Sequence, residues 1–120
     1  MSRQRHRYID SQVQQYLLDI LLPELEANGA RPIPTPLYEE GHSDKLYLLS
    51  YKEALAVPKS VRRFTSDWWL RTVVDTSYEF DEYAMDEPII VSRSGDLDYP
   101  VRTEDHAVRP AMRVRIEDLD

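Results

Sequence analysis

Helical and strand-forming patterns occupy separate parts of this sequence, and this segregation limits the folds open to the chain. Apolar residues recur at helical spacing from Ser11 to Asn28, and a second, shorter run of helix formers extends from Ser50 to Ala56. From Asp67 onward strand formers dominate, in short runs separated by turn residues. This order is typical of an α+β fold and not of a doubly wound one. We therefore expect an N-terminal helix packed on a small, mostly antiparallel sheet with a second short helix.

The first helix has a predicted start, interruption and end. Asp10 or Ser11 is the N-cap, and Ser11 has Gln14 at the third position of a capping box. Pro23 lacks the N–H that an α-helix needs there, so we expect a kink or a restart before Gly29 ends the helix. The helical spacing predicts one buried stripe, formed by Val13, Tyr16, Leu17, Ile20, Leu21 and Leu25.

The segments that follow the first helix have distinct predicted backbones. Prolines at alternate positions in residues 31–44 remove donors and favour an extended connector. The stretch Lys45–Ser50 is apolar on both faces, which predicts a central strand buried on two sides. Ser50 and Glu53 form a capping box for the second helix, and Pro58 stops it.

Strands are predicted for most of the second half. Trp68 and Trp69 begin one of them and point to opposite faces, so one ring fills the core and the other lies beneath a helix or loop. Residues Pro88–Val101 have the form of a hairpin with Gly95 in its turn. The alternating stretch Ala111–Ile116 predicts a final strand whose inward residues are Met112, Val114 and Ile116.

Length and composition favour one domain without covalent cross-links. The chain has 120 residues, 42% of them hydrophobic, so we expect a single domain over residues 10–120 after a flexible, basic N-terminus at 1–9. It has no cysteine, which excludes disulfides, thiolate zinc sites and cysteine nucleophiles. Its apolar runs are too short for a membrane span or a signal peptide, so we expect a cytoplasmic protein.

Acidic residues are concentrated in two regions of the sequence, Asp75–Glu87 with a charge of −6 and Asp19–Asp44 with a charge of −5. The net charge of −7 argues against direct nucleic-acid binding. The window from Asp75 to Glu87 holds six acids, three aromatic residues and no base. One interpretation is a partner-binding site, because carboxylates on a surface imitate a phosphate backbone and tyrosines add anchors for a protein partner. The alternative interpretation is a run of charges that only keeps a loop solvated. The candidate partner-binding residues are Asp75, Tyr78, Glu79, Asp81, Glu82, Tyr83, Asp86 and Glu87.

A basic patch precedes that window. It consists of Lys59, Arg62, Arg63 and Arg71, and it either meets an acidic partner or pairs internally. Arg71 and Arg109 have the donors to hold loops through carbonyls or nearby carboxylates.

Catalytic and metal-binding patterns are weak by comparison. The histidines are dispersed, and the pairs His42 with Asp44 and Glu104 with His106 supply too few ligands for a specific metal site. The three glycines are too scattered for a phosphate-binding loop, and no G-x-S-x-G elbow is present. We therefore predict that the chain is not an enzyme and needs no cofactor or metal.

Four blocks occur in an order that resembles a known family. They follow the pattern LxLLS…WWLR…IVSxxGxL…VRPA and are Leu46–Ser50, Trp68–Arg71, Ile90–Leu97 and Val108–Ala111. The chain is similar here to a family of uncharacterised bacterial and prophage domains, which in turn resemble pieces of C-type-lectin-like folds. The resemblance implies a small antiparallel sheet and no agreed activity. The acidic stretch Asp75–Glu87 stands where family members commonly have a Ser-Pro-Gly-type turn.

Three functional hypotheses follow from these observations. The first is a non-enzymatic protein-binding domain of bacterial or phage origin that acts through its surface loops. The second is a phage-encoded inhibitor, such as an anti-CRISPR protein or nucleic-acid mimic, that presents the acidic window to the basic channel of a nucleic-acid-binding defence protein. The third, a small hydrolase or a ligand-binding lectin-like module, requires a concave pocket near Trp69, Arg71 and Arg109.

Overall fold

The structure is a computed structural model, and it describes residue 8 and residues 11–37, 41–75, 86–98 and 106–119. The helices are α1 Gln12–Tyr16, α2 Leu22–Ala27, α3 Tyr51–Ala56 and α4 Lys59–Arg62. The strands are β1 Pro32–Ile33, β2 Thr35–Leu37, β3 His42–Asp44, β4 Trp68–Asp75, β5 Asp86–Val91, β6 Leu97–Asp98 and β7 Arg113–Val114. An N-terminal helical segment and small antiparallel sheets make the fold α+β, as the sequence predicts.

The chain forms two compact units. The described residues of the terminal unit lie within Tyr8–Tyr47 and Pro110–Asp120, and those of the central unit lie within Leu48–Arg109. The single domain over 10–120 stays a prediction. Of the N-terminal residues 1–9, whose flexibility the sequence predicts, the structure describes Tyr8, which is buried.

The first helix passes its proline by a local change of helix type. Ser11 is the N-cap, and its hydroxyl accepts a hydrogen bond from the Gln14 N–H at 3.1 Å. Between α1 and α2 the segment Leu17–Leu21 is a π-helix, after which Pro23 falls in the first turn of α2, where its missing N–H costs little. The predicted restart is confirmed, and Gly29 follows the helix with a φ of 99°.

The predicted buried stripe of this helix is partly wrong. Leu17 is buried, but Tyr16 and Ile20 are exposed, and the polar Gln14 is buried in their place. The cause lies about thirty residues away, because the Gln14 amide donates to the Asp44 carboxylate at 3.1 Å. The spacing of hydrophobic residues along the helix gives no information about Asp44 as a hydrogen-bond partner of Gln14.

Two small sheets complete the terminal unit. β1 pairs with β7 and β2 with β3, both antiparallel. The proline-rich segment is extended, as predicted, but it contributes strands to both sheets instead of forming a connector. Pro34 and Pro36 are exposed, whereas Thr35 and Leu37 are buried, since alternate residues of a strand share a face.

Two predicted strands are corrected by the structure. Lys45–Ser50 is not a strand, because it contains no more than an isolated β-bridge between Tyr47 and Ala111. Its leucines at 46 and 48 are buried as expected. The final strand Ala111–Ile116 is only the two-residue β7, and a 3-10 turn begins at Ile116. Met112 and Ile116 are exposed, the latter at 84%, and not inward. In these two segments the apolar or alternating pattern indicates burial or an extended backbone. It does not show whether another strand pairs with the segment.

The central unit contains a three-stranded antiparallel sheet in the order β4-β5-β6. The hairpin of β5 and β6 with Gly95 in its turn is confirmed. The core beneath the sheet contains Ala54, Trp68, Leu70, Ile89 and Val91. Trp69 faces the other way, and its half-buried ring meets the His106 ring edge-on, with the centroids 4.4 Å apart.

Candidate functional site

Three of the candidate partner-binding residues, Asp75, Asp86 and Glu87, are in the described part of the chain, and they lie at one end of the β4–β5 ladder. Trp68 pairs with Val91 at the buried end of the ladder. At the opposite end Asp75 pairs with Asp86, and Glu87 follows as the partner of Val74. We call the backbone positions of Asp75, Asp86 and Glu87 the acidic end. The other candidate residues, Tyr78, Glu79, Asp81, Glu82 and Tyr83, lie outside the described residues.

The register at the acidic end pairs the backbone positions of two aspartates. Residues directly opposite in an antiparallel pair are the closest cross-strand neighbours, and like charges there destabilise a ladder. Asp75 and Asp86 occupy such a pair. The sequence alone identifies the acids but does not show that two of them pair across strands.

Arg71 does not belong to a surface patch. Its side chain is 1% exposed, and its Nη1 donates to the Leu48 carbonyl at 2.7 Å and to the Glu53 carboxylate at 2.5 Å. Glu53 also accepts from the Ser50 N–H at 2.8 Å, in the predicted capping box of α3. The basic patch was predicted either to meet an acidic partner or to pair internally, and Arg71 pairs internally. Its predicted role of holding loops is also confirmed.

The Glu53 carboxylate is held in its charged form. Burial raises the pKa of this carboxyl, but hydrogen bonds from Arg71 and from the Ser50 backbone, with the Arg71 charge, bring the pKa below its ordinary value. The third hypothesis required Arg71 beside a concave pocket, whereas the guanidinium is enclosed and engaged with the protein itself.

The other basic residues of the predicted patch, Lys59, Arg62 and Arg63, are neighbours in sequence of the exposed Val61 and Phe64, and we call this surface, together with Arg109, the cationic face. Arg109 organises it, since its guanidinium lies over the Phe64 ring at 4.5 Å and its Nη1 donates to the carbonyls of Val61 and Arg62 at 3.4 and 3.3 Å. The predicted loop-holding role of Arg109 is therefore confirmed. The cationic face consists of Lys59, Arg62, Arg63 and Arg109 with the exposed Val61, Phe64 and Val108.

The cationic face is fixed at the buried end of the β4–β5 ladder. The Trp68 indole N–H donates to the Arg62 carbonyl at 2.9 Å, and Arg109 also lies over the Trp68 ring at 4.8 Å. The turn between β5 and β6 also contacts the cationic face, because Lys59 Nζ lies 2.9 Å from the Asp96 carboxylate. Hydrogen bonds from Lys59 and Ser94 hold the pKa of Asp96 below its ordinary value.

Sequence reasoning missed the apolar part of this face. Phe64 follows two arginines, and Val108 precedes Arg109. The two segments are more than forty positions apart, so only the fold brings them together. The available signal was local, namely an aromatic residue directly after an Arg-Arg pair.

A buried polar cluster in the terminal unit brings two predicted ligand types together. His42 Nε2 lies 3.2 Å from the Asp44 carboxylate and 3.2 Å from the Gln14 amide nitrogen. Among the described residues, no three or more His, Cys, Asp or Glu side chains group as metal ligands. The second predicted pair, Glu104 with His106, is described only at His106.

None of the helices in the described part of the chain is long and apolar enough to cross a membrane. Comparison with protein-family models, with curated proteins and with solved structures finds no match for this chain.

Proposed function

We propose that this chain is a non-enzymatic protein-binding domain of bacterial or phage origin, which binds its partner through the acidic segment Asp75–Glu87. The observation that carries the proposal is the register that sets Asp75 opposite Asp86 on the β4–β5 ladder. The ladder begins in the core at Trp68 and Val91 and reaches the acidic end after a register shift between Trp69 and Val73. The partner surface is therefore cationic.

The proposal includes the finer fold, family and location. We propose that the four blocks make the chain a member of the bacterial and prophage family with a C-type-lectin-like arrangement, and that it works in the cytoplasm. The β4–β5–β6 sheet, which contains the WWLR and IVSxxGxL blocks, supports the structural part of this assignment.

A second candidate function is an acidic inhibitor that mimics nucleic acid. The segment has six acids in thirteen positions, and closely spaced negative charges resemble a phosphate backbone, which a basic channel binds. In this case the partner is a nucleic-acid-binding defence protein, such as the target of an anti-CRISPR protein. Duplex DNA should then compete with the chain for its partner.

The test is capture of partners from bacterial lysate by the immobilised chain at about 50 mM and about 500 mM NaCl, which brackets the range where charge screening becomes strong. The expected result is capture at low salt, loss at high salt, and loss when Asp81→Asn, Glu82→Gln and Asp86→Asn are combined. The matched control neutralises three exposed acids of the terminal unit, Asp19→Asn, Glu24→Gln and Glu117→Gln, and should retain capture.

The two candidates separate on addition of duplex DNA to the capture. Displacement of the partner supports the mimic, whereas retention supports a binding domain without mimicry. Capture that is equally strong at both salt concentrations and in both triple variants would contradict the proposal itself.

A further inference from the structure

The polar cluster of Gln14, His42 and Asp44 brings three side chains from two elements together. His42 and Asp44 stand two positions apart on β3, so they share a face of the strand, and Gln14 reaches them from α1. The contacts that join the three groups are 3.1 and 3.2 Å long. Gln14 and Asp44 are each 7% exposed, whereas the His42 side chain is 28% exposed. The cluster is therefore largely enclosed, and water reaches it at His42.

The hydrogen-bond roles in this cluster conflict at His42. Its Nε2 lies 3.2 Å from the Asp44 carboxylate, to which it can only donate, and 3.2 Å from the Gln14 amide nitrogen, from which it can only accept. One ring nitrogen carries either a proton or a lone pair, so at most one of the two contacts is a hydrogen bond in a given state. A cation removes the conflict, because the Nε2 lone pair, the carboxylate and the amide oxygen can all face one positive charge. A half-turn of the Gln14 amide exchanges its nitrogen for its oxygen.

The spacing and chemistry of the three groups suit a divalent transition-metal ion. Zinc binds imidazole nitrogen and carboxylate oxygen at about 2.0 to 2.2 Å, so the ligands of a tetrahedral site are roughly 3.3 to 3.6 Å apart. The contacts in the cluster, at 3.1 and 3.2 Å, need to widen only slightly to reach that spacing. Imidazole suits zinc, copper, iron or nickel, whereas magnesium and calcium prefer oxygen ligands. Three protein ligands leave a fourth position for water, which the partly exposed His42 admits.

We propose that His42, Asp44 and Gln14 bind a divalent transition-metal ion of the zinc type through His42 Nε2, the Asp44 carboxylate and the Gln14 amide oxygen. The sequence predicts no metal because it shows too few ligands at His42 and Asp44, and the third lies 28 positions before His42. The ion ties α1 to the β2–β3 sheet and neutralises the charge of a buried carboxylate. The inference goes beyond the proposed function, since this site is in the terminal unit and does not involve the acidic segment.

Zinc binding to the purified full chain tests the site. Isothermal titration calorimetry with zinc chloride at about pH 7.5 should show one ion per chain, and calcium and magnesium chloride should bind at least about tenfold more weakly. His42→Gln and Asp44→Asn should each weaken zinc binding at least about tenfold. The matched control replaces the other two histidines together, His6→Gln with His106→Gln, and should bind zinc as the wild type does. Circular dichroism verifies that each variant is folded.

Gln14→Glu distinguishes a metal ligand from a side chain that only donates to Asp44. A carboxylate oxygen is a stronger zinc ligand than a neutral amide oxygen, so this variant should bind zinc severalfold more tightly than the wild type. Without zinc the variant sets two carboxylates side by side and should unfold at a lower temperature than the wild type, and zinc should reverse that loss. NMR of the wild-type histidine rings needs no variant, and zinc should shift the signal of His42 Nε2.

Any of five results would overturn the inference. The wild type binds no zinc at concentrations up to about 1 mM, which corresponds to a free energy of only about −4 kcal/mol. Calcium binds as tightly as zinc, the double-histidine control loses binding that His42→Gln retains, Gln14→Glu leaves the zinc affinity unchanged, or zinc shifts a histidine nitrogen other than His42 Nε2. Where a variant does not fold, the wild-type ring shift decides. None of these measurements involves partner capture, so the metal site and the proposed function can fail separately.

Discussion

Arg71 of β4 is joined to the segment Leu48–Leu49 and to Glu53 of α3. Its guanidinium bridges the Leu48 carbonyl and Glu53, and its backbone N–H donates to the Leu49 carbonyl at 2.9 Å. The sequence indicates that this arginine holds loops, since several donors on one planar group suit carbonyls and carboxylates. It does not indicate which ones, because the partners are 18 and 23 positions away.

Removing the guanidinium takes one hydrogen-bond donor from each of its two partners. We expect Arg71→Met to lower the free energy of unfolding by about 3 kcal/mol, because a half-buried carboxylate and a buried carbonyl each lose this charged donor. Urea denaturation followed by tryptophan fluorescence measures this. Arg93→Met, at an exposed arginine of the same unit, should cost little, and an equal loss in both variants would refute the role assigned to Arg71.

The lowered pKa of Glu53 gives its stabilising effect a defined pH dependence. The folded pKa lies below the unfolded one, so this contribution is fully present above the ordinary glutamate pKa of about 4.3 and is lost as the pH falls through the folded value. The difference in unfolding free energy between wild type and Glu53→Gln should therefore be largest near neutral pH and shrink below about pH 4. A difference that is constant from neutral to acidic pH would show that the Glu53 charge is not involved.

At the scale of elements, the turn between β5 and β6 needs glycine for two reasons. Gly95 has a φ of 94°, and an added Cβ would lie 2.9 Å from the Lys59 carbonyl oxygen. Gly29 has a φ of 99° but open space around it. We expect Gly29→Ala to cost about 1 kcal/mol from backbone strain, and Gly95→Ala to cost clearly more because α4 must also shift. Equal losses in thermal unfolding would show that the contact with α4 is unimportant.

A substitution at Asp86 of the β4–β5 ladder should change stability and partner binding in opposite directions. Asp86 is the register partner of Asp75, and like charges at paired positions destabilise a ladder, so replacing Asp86 by Asn should raise the free energy of unfolding by up to about 1 kcal/mol. The same change should weaken partner capture, as expected of a residue kept for binding at a cost in stability. A loss of both stability and capture would instead indicate a structural role for the Asp86 carboxylate.

Elements whose signals are local were predictable, and those that depend on distant partners were not. Ser11 and Ser50 cap their helices as their sequence contexts indicate, and Gly95 turns its hairpin. Lys45–Ser50 is buried but not a strand, because burial on two sides does not require a ladder. For the candidate site, the sequence identified the acids, whereas the position of Asp75 opposite Asp86 and the assembly of the cationic face depend on tertiary structure.

At the scale of the whole molecule, the α+β class followed from the order of the patterns, but the division into two units did not. The terminal unit joins both ends of the chain, since Tyr47 and Ala111 exchange backbone hydrogen bonds of 3.0 and 2.7 Å across the central unit's insertion. Hydrophobic periodicity carries no information about such a long-range closure. Only pairing between distant segments reveals it.

This connectivity couples the stability of the terminal unit to the central one. If the central unit unfolds, Tyr47 and Ala111 must close a loop of about sixty flexible residues, which costs roughly 4 kcal/mol. Gly95→Ala should therefore accelerate amide exchange at Tyr47 and Ala111, while Gly29→Ala should leave the Arg71 amide unaffected. NMR-detected hydrogen exchange measures both, and an unchanged rate at Tyr47 and Ala111 in Gly95→Ala would refute the coupling.

The pairing of β1 with β7 also orders events on the ribosome. Pro32 emerges early, but its partner Val114 is synthesised more than eighty positions later. Every strand of the central sheet precedes Val114 in the chain, so all of its residues are synthesised before that partner. The β1–β7 sheet is therefore completed last. Until then the nascent polypeptide has an unpaired β1 edge, which a chaperone can bind.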